Sequence, residues 1–332
     1  MSKKVALLVG GWSAERQVSL DKGKDVEKAL REAGYDLTVI EVKKDLNDLI
    51  SKLTPRPDVV FNNLYGRGGE DGIIQSVLEM MEIPYTHSGV MASALAMNKP
   101  MTKRIAMTLG IQSPEGVVAH RNDIIASEAL DPPYVVKPVS EGSSCGITIV
   151  RENDNKPAFD ENWTFGEYAL VERYIKGREL TCAILDGKAQ DVTEIKPHTD
   201  FFDYEAKYQD TRTEYLLPAP VPADVKELIM DWSERLYIAL GCNGLARCDY
   251  VYDDRIEEAA HAVYFLEINT QPGLTPGSIG PSQVIHHGMS FTDLCRHLVE
   301  TAKCHEKQET IKDKDKADGG QTDSKTVADE AA

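Results

Sequence analysis

The sequence is poor in positive charge. Its 332 residues include 37 Lys and Arg against 54 Asp and Glu, which gives a formal net charge of −17. So acidic a chain repels nucleic acid and anionic lipid, and we expect neither as a partner. If the protein binds phosphate, local cations and backbone N–H groups must hold it.

The sequence also lacks paired cysteines, an N-terminal apolar run of membrane length and two common nucleotide-binding motifs. The six cysteines show no CxxC pair and no zinc-ligand spacing, which predicts reduced thiols. The apolar run Val5–Val9 is far too short for a signal or membrane segment, so we expect a cytoplasmic protein without a membrane partner. The glycine loop after it matches neither GxGxxG nor GxxxxGK(S/T), the dinucleotide and P-loop motifs.

What is present predicts a globular α/β protein of two or three packed units. Residues 1–97 alternate strand, glycine loop and helix, which is typical of a parallel sheet. The remaining two thirds are α+β in pattern, and we expect units at 98–180 and 181–305. A loop at about 197–222 is long enough to be either disordered or functional. The charged tail at 306–332 is predicted to be disordered.

Three further elements are predicted from local patterns. One helical segment carries Asn98 and Lys99, the strands on either side of the Ser/Gly loop after Tyr134 form a hairpin, and the last helix spans about Phe291–Cys304.

The first glycine loop runs from Gly10 to Glu15, just before a predicted helix. Backbone N–H groups at a helix start attract anions. Glu15 suits the helix dipole without any ligand, and as a functional group it would receive an ammonium ion.

A second pattern joins a lysine to a Ser/Gly loop. Lys137 ends the apolar run that begins at Tyr134, and Ser140–Gly146 follows. The lysine can pair with phosphate while loop N–H groups and hydroxyls wrap it. A surface hairpin has the same composition, although a lysine in a buried strand is costly without an anion.

A third pattern, Glu172–Glu179, ends a strand and carries carboxylates seven positions apart. Backbone groups in such a hinge can hold adenine, and a carboxylate can hold ribose. An ordinary charged loop has the same composition, so this segment leaves both interpretations open.

The strongest pattern lies in two later strands. Arg247-x-Asp249 and Glu267-x-Asn269 each place polar side chains on one face of a strand. Glu-x-Asn alone is more typical of a strand that enters a turn. If the strands are neighbours, however, Asp249, Glu267 and Asn269 meet as oxygen ligands beside Arg247. Mg²⁺ with phosphate oxygens fits such hard ligands.

Six ordered segments together resemble the D-alanine–D-alanine ligase family of the ATP-grasp superfamily, over about residues 4–303. The segments are Gly10–Leu20, Gly66–Gly72, Tyr134–Ser144, Asp203–Tyr208, Gly244–Asp249 and Leu266–Gly273. The resemblance implies an ATP-grasp fold, with central and C-terminal subdomains, after a Rossmann-like parallel α/β domain. It also suggests a homodimer.

The family's reaction is what the resemblance implies for this chain. ATP would phosphorylate the carboxylate of one D-alanine, and the amine of a second would attack the acylphosphate, giving a dipeptide for peptidoglycan synthesis, ADP and phosphate. The implied catalytic residues are Glu15, Ser143, Tyr208, Arg247, Gly273 and Ser278. The implied ATP-binding residues are Lys99, Lys137, Glu172, Tyr174, Ile175, Glu179 and Lys207. Two Mg²⁺ ions, or Mn²⁺ in their place, would be held by Asp249, Glu267 and Asn269.

The chain departs from the family pattern at Tyr65, where histidine is usual, and at Trp12 and Ala246, where smaller or glycine-like residues are common. Two other functions stay open. Another ATP-grasp carboxylate–amine ligase, such as a D-alanine–D-lactate or other dipeptide ligase, would need neither Glu15 nor the segment Glu205–Tyr208. A non-catalytic nucleotide-binding protein would not need the metal ligands, the arginine and the loop together.

Overall fold

The computed structural model of the chain describes residues 2–126, 130–142, 146–152, 159, 163–198 and 212–305. The predicted site residues Ser143, Lys207 and Tyr208 lie outside those ranges, as does the predicted tail at 306–332.

The N-terminal sheet is parallel, as the strand, loop and helix order predicted. Its strands are β1 (Lys4–Gly10), β2 (Asp36–Val42) and β3 (Val59–Asn62), and its helices are α1 (Arg16–Glu32), α2 (Leu46–Lys52) and α3 (Ile73–Met80). The strand order is β2-β1-β3. Every residue of β1 after Lys4 is buried, which explains its continuous apolar run. The short α2 buries only Leu49, and its sequence signal is correspondingly weak.

The segment after this sheet corrects one prediction. The sequence predicted one helical segment carrying Asn98 and Lys99, but the structure has two helices, α4 (Val90–Met97) and α5 (Lys99–Thr108). Asn98 leaves the helical conformation, and its Oδ1 accepts a hydrogen bond from the Met101 N–H at 3.1 Å. Pro100 suits the first turn of the new helix because an N–H is not needed there. The break places Lys99 at the start of α5, where it is 7% exposed.

A central antiparallel sheet follows. Its strands are β4 (Gly116–His120), β5 (Tyr134–Pro138), β6 (Thr148–Val150) and β7 (Tyr168–Arg173), and α6 (Arg121–Ala126) lies after β4. The strand order is β4-β7-β5-β6. β5 and β6 pair antiparallel across the Ser/Gly loop, so the predicted hairpin is confirmed.

The C-terminal sheet is also antiparallel. Its strands are β8 (Arg178–Leu185), β9 (Lys188–Lys196), β10 (Glu214–Leu216), β11 (Leu245–Tyr252) and β12 (Val263–Asn269), and its helices are α7 (Ala223–Leu240), α8 (Ala259–Ala262), α9 (Ile279–His286) and α10 (Phe291–Glu300). The order β10-β9-β8-β11-β12 makes β11 and β12 neighbours, as predicted. None of the helices in the described ranges combines the length and apolar character that a membrane span requires.

The prediction for the last helix was wrong at its end. It was expected to reach about Cys304, but α10 stops at Glu300. The chain then runs extended so that the Lys303 carbonyl accepts a hydrogen bond from the Tyr85 N–H at 3.3 Å. This contact ties the end of the described chain to the N-terminal sheet.

One apolar core joins the N-terminal and C-terminal sheets. It includes Leu7 of β1, Phe61 of β3, Ala183 of β8, Leu245 of β11 and Leu294 of α10. Because a close-packed core resists sliding, the two sheets hold a fixed relative position, and so do the loops at their edges.

A buried glutamine stabilises an irregularity in β8, between Cys182 and Ile184, where its register with β9 shifts. The Ala183 N–H donates to the Gln283 Oε1 at 2.8 Å, and the Gln283 amide donates to the Thr181 carbonyl at 3.0 Å. A further bond joins that amide to the hydroxyl of Thr193 at 2.9 Å. The glutamine therefore replaces ladder bonds that the register shift removes.

We expect Gln283→Leu to lower the free energy of unfolding by about 3 kcal/mol, because three buried hydrogen bonds are lost and the Ala183 N–H is left unsatisfied. Urea denaturation followed by circular dichroism measures the change. The control is Gln17→Leu on the exposed face of α1, with an expected change below about 0.5 kcal/mol. Equal stability of the two variants would contradict this role of Gln283.

Candidate active site

The two strands that carry the strongest sequence pattern are paired in the register the pattern requires. Arg247 lies opposite Asn269, and Asp249 lies opposite Glu267. Along β11, buried and half-buried residues alternate, with both polar residues on the half-buried face. The structure therefore brings the four side chains to one surface of the sheet.

These side chains are held by hydrogen bonds and ion pairs. Arg247 donates from Nε and Nη2 to the two carboxylate oxygens of Asp249, at 2.8 and 2.7 Å. The Thr181 hydroxyl also donates to Asp249, at 2.6 Å. Glu267 lies 3.1 Å from the Lys99 ammonium. The Oδ1 atom of Asn269 accepts from a backbone N–H in the turn after β12, at 2.8 Å.

The donor set fits a hard divalent cation, although the described ranges contain no cluster of three or more His, Cys, Asp or Glu residues arranged to hold a metal. Two carboxylates and one carboxamide supply oxygen atoms on one surface. Their counter-charges, Lys99 and Arg247, line the same cavity.

A second cluster is a buried carboxylate between two lysines. Glu172 on β7 is 1% exposed, and its oxygens contact the ammonium groups of Lys103 and Lys137, the latter at 2.7 Å. Burial raises the pKa of the Glu172 carboxyl, but the two ammonium groups outweigh burial and hold the pKa below its usual value. Burial lowers the pKa of the Lys103 ammonium to about 8. Lys103 lies one helical turn after Lys99 and was not predicted.

Two cavities meet at this surface. The larger, of about 360 Å³, is lined by Glu15, Asn269, Gly273 and Ser278, and the smaller, of about 130 Å³, by the hinge after β7. The predicted ATP-binding residues in the smaller cavity are Lys99, Lys137, Glu172, Tyr174, Ile175 and Glu179. Both cavities share Lys99, Arg247 and Glu267. The predicted nucleotide and amino-acid residues thus separate into two joined spaces.

The larger cavity contains three charged residues that were not predicted as site residues, namely Lys22 of α1, Glu70 of the loop before α3 and Glu141 after β5. Glu70 accepts a hydrogen bond from the Gly66 N–H at 2.6 Å. Burial, and then the negative charge of Glu15, raise the pKa of the Glu70 carboxyl well above its usual value. The Lys22 ammonium lies 5.6 Å from the centre of the Tyr65 ring.

Tyr65 joins two loops. It is 5% exposed, and its hydroxyl donates to the Asn63 Oδ1 at 2.9 Å. The same hydroxyl accepts from the Leu274 N–H at 3.1 Å. It therefore fixes the turn that contains Gly273, beside Ser278 at the N-terminus of α9.

The unpredicted residues gave little sequence signal. Glu70 stands in the quoted segment Gly66–Gly72 but received no role, and Lys22 stands in an ordinary helical pattern. The i, i+4 spacing of Lys99 and Lys103 places both lysines on one face of a helix. This spacing was the local signal that could have indicated a role for Lys103.

Two antiparallel sheets that follow a parallel α/β unit, with the smaller cavity lined by residues of both, define an ATP-grasp protein. A family model described as the D-ala D-ala ligase C-terminus matches residues 112–300. The chain belongs to the D-alanine–D-alanine ligase family.

Sequence and structural relatives agree with that assignment. The chain is 47% identical over 303 residues to the D-alanine–D-alanine ligase of Granulibacter bethesdensis, covering 91% of this chain and 98% of the relative. With the ligase of Rhodospirillum rubrum it shares 46% over 306 residues, covering 92% and 99%.

Solved structures of related ligases superpose over most of the chain. The ligase of Bacillus anthracis complexed with ATP superposes with a TM-score of 0.73 at 30% identity, covering 91% of this chain and 97% of that one. The VanG D-Ala:D-Ser ligase of Enterococcus faecalis gives 0.72 at 26% identity, covering 91% and 99%.

We expect Glu172→Gln to lower the free energy of unfolding by about 3 kcal/mol, since it leaves two buried ammonium groups without a counter-charge. Chemical denaturation in the absence of nucleotide measures this. The matched control, Glu27→Gln, removes an exposed partner of Arg31, and its effect should stay below about 0.5 kcal/mol. A loss for Glu172→Gln as small as the control's would show that Glu172 does not neutralise the two lysines.

Proposed function

We propose that the protein joins two D-alanine molecules to D-alanyl-D-alanine for peptidoglycan precursor synthesis, with ATP converted to ADP and phosphate by way of an acylphosphate. The observation that supports this most is the pair of cavities joined at Lys99, Arg247 and Glu267. A reaction that transfers a phosphoryl group to a carboxylate needs a nucleotide space and an amino-acid space that meet at charged groups. We further propose a cytoplasmic homodimer, as the resemblance suggests.

The smaller cavity would bind ATP. Tyr174 and Ile175 would contact adenine in the hinge, with Glu172 beside it and Glu179 at the ribose. Lys99 and Lys137 would contact the phosphates, because an anion that enters there can replace their present carboxylate partners.

Asp249, Glu267 and Asn269 would hold the two Mg²⁺ ions, for which Mn²⁺ can substitute. When bound, Mg²⁺ neutralises charge on the phosphoryl group that is transferred. Arg247, which already binds Asp249 through two hydrogen bonds, would stay beside the reacting carboxylate and stabilise its oxyanion together with the Gly273 N–H.

The amino acids would lie in the larger cavity. Glu15 would receive the ammonium of the first D-alanine, in a group with Ser143 and Tyr208. Ser278 would hold the carboxylate of the second D-alanine. Lys207 and Tyr208 belong to the proposed closing loop, whose role is to keep water from the acylphosphate.

The first test is turnover by the purified protein with ATP, Mg²⁺ and D-alanine, measured as phosphate release and as dipeptide by mass spectrometry. We expect release that depends on D-alanine and is absent with L-alanine. D-lactate and D-serine as second substrates test the alternative ligases. If no substrate elicits phosphate release, the ligase assignment is wrong.

We expect Glu267→Gln to lower kcat by about 100-fold or more while the fold is retained, because a metal-facing charge is removed. Phosphate release at saturating Mg²⁺ measures kcat, and circular dichroism checks the fold. Glu257→Gln, at an exposed position between β11 and β12, is the matched control and should keep normal turnover. Near-normal kcat in Glu267→Gln would refute the metal role.

A further inference from the structure

Lys22 projects from α1 to the turn after β12, where both substrates are proposed to react. A Cβ atom built on Gly273 would lie 2.1 Å from the Lys22 Nζ and 3.4 Å from the Ser278 Oγ. The ammonium therefore lies directly against the backbone of this turn, and it shares one corner of the larger cavity with the Ser278 hydroxyl.

Charged groups from several elements face Lys22. The carboxylates of Glu15 and Glu70 attract the Lys22 ammonium, whereas the guanidinium of Arg247 on β11 repels it. The Tyr65 ring lies below the ammonium, with its centre 5.6 Å away. The pKa of the Lys22 ammonium is lowered to about 8, chiefly by burial and next by the positive charge of Arg247. The two carboxylates act in the opposite direction and raise this pKa. The ammonium form still predominates at neutral pH.

The corner beside Ser278 needs a cation if a carboxylate is to bind there. Four carboxylates line the larger cavity, namely those of Glu15, Glu70, Glu141 and Glu267. A hydroxyl alone does not offset the desolvation of an incoming carboxylate next to such groups. Of the other cations that line this cavity within the described ranges, Lys99 is proposed to bind the phosphates and Arg247 the oxyanion, so neither is assigned to this carboxylate.

We propose that Lys22 is a specificity-determining residue whose ammonium binds the carboxylate of the second, attacking amino acid, beside Ser278. This inference rests on the proposed ligase function, because it assigns a contact to that reaction's second substrate. Lys22 thereby selects amino acids with a free carboxylate over acceptors that lack one.

Charge balance in the cavity supports a role after the first substrate has bound. When the ammonium of the first D-alanine pairs with Glu15, the Glu15 carboxylate is shared between that ammonium and Lys22. The positive charge of Lys22 is then available to the carboxylate of the second D-alanine beside the Gly273 turn. Binding of the first substrate thus favours binding of the second.

The test is a competition between two acceptors in one reaction. D-alanine serves as phosphoryl acceptor, and D-alanine and D-alaninamide, which lacks the carboxylate, compete as the attacking amine. Mass spectrometry gives the ratio of D-alanyl-D-alanine to D-alanyl-D-alaninamide. The change of this ratio between variants at one pH cancels the different basicities of the two amines.

We expect Lys22→Met to lower the ratio by about 10-fold or more, the size expected for a charge-assisted contact of ~1.4 kcal/mol or more. Lys22→Arg should keep the ratio within about 3-fold. Lys24→Met, an exposed lysine on the same helix, is the control and should leave the ratio unchanged. If Lys22→Met fails to fold by circular dichroism, Lys22→Gln takes its place with the same expectation.

Each other outcome overturns the inference. If both products fall together at a constant ratio, Lys22 acts on the shared chemical step or on the fold, and not on the second carboxylate. If Lys22→Arg lowers the product ratio as much as Lys22→Met does, the positive charge at residue 22 does not determine the preference for an acceptor with a carboxylate. Absence of both products in the unaltered protein would instead refute the proposed ligase function itself.

Discussion

The site depends on a polar junction between the N-terminal sheet and the turn after β12. Asn62, the last residue of β3, donates to the Gln271 Oε1 at 2.8 Å, and the Gln271 amide donates back to the Leu64 carbonyl. The Tyr65 hydroxyl binds the Leu274 N–H in the same turn. These groups are buried, so breaking one bond leaves an unsatisfied partner at a cost of about 1–3 kcal/mol. Groups from two separate sheets are thereby held at a fixed distance, which a reaction between two substrates requires.

The charges of the site are balanced by the protein itself. Glu172 contacts two lysines, and only Lys137 of the two lines the smaller cavity, where ATP is proposed to bind. A phosphate that draws Lys137 away leaves Glu172 paired with Lys103. Nucleotide binding can therefore exchange one ion pair for another without leaving a buried charge alone, which would cost several kcal/mol. Lys103 therefore has a physical role, the neutralisation of Glu172, although it does not line the smaller cavity.

Sequence patterns predicted those features of the fold and site that depend on the geometry of one or two neighbouring strands. The two-residue spacing on β11 and β12 fixes which side chains share a face, and this part of the site followed from the sequence. The Ser/Gly hairpin and the parallel start of the chain followed for the same reason. The contacts of Lys22 and Lys103 did not, because they join residues far apart in the chain that only the packing of the sheets brings together. The break at Asn98 was missed because a cap depends on one side-chain bond that periodicity does not reveal.

The departure at Tyr65 and the unpredicted Lys22 have one physical explanation. The phenol hydroxyl meets the Leu274 N–H, and the face of its ring is left towards the Lys22 ammonium. An aromatic face attracts a cation, whereas a histidine at this position becomes a second cation when protonated and then repels it. Tyrosine at residue 65 therefore suits a lysine at residue 22, and both side chains line the larger cavity.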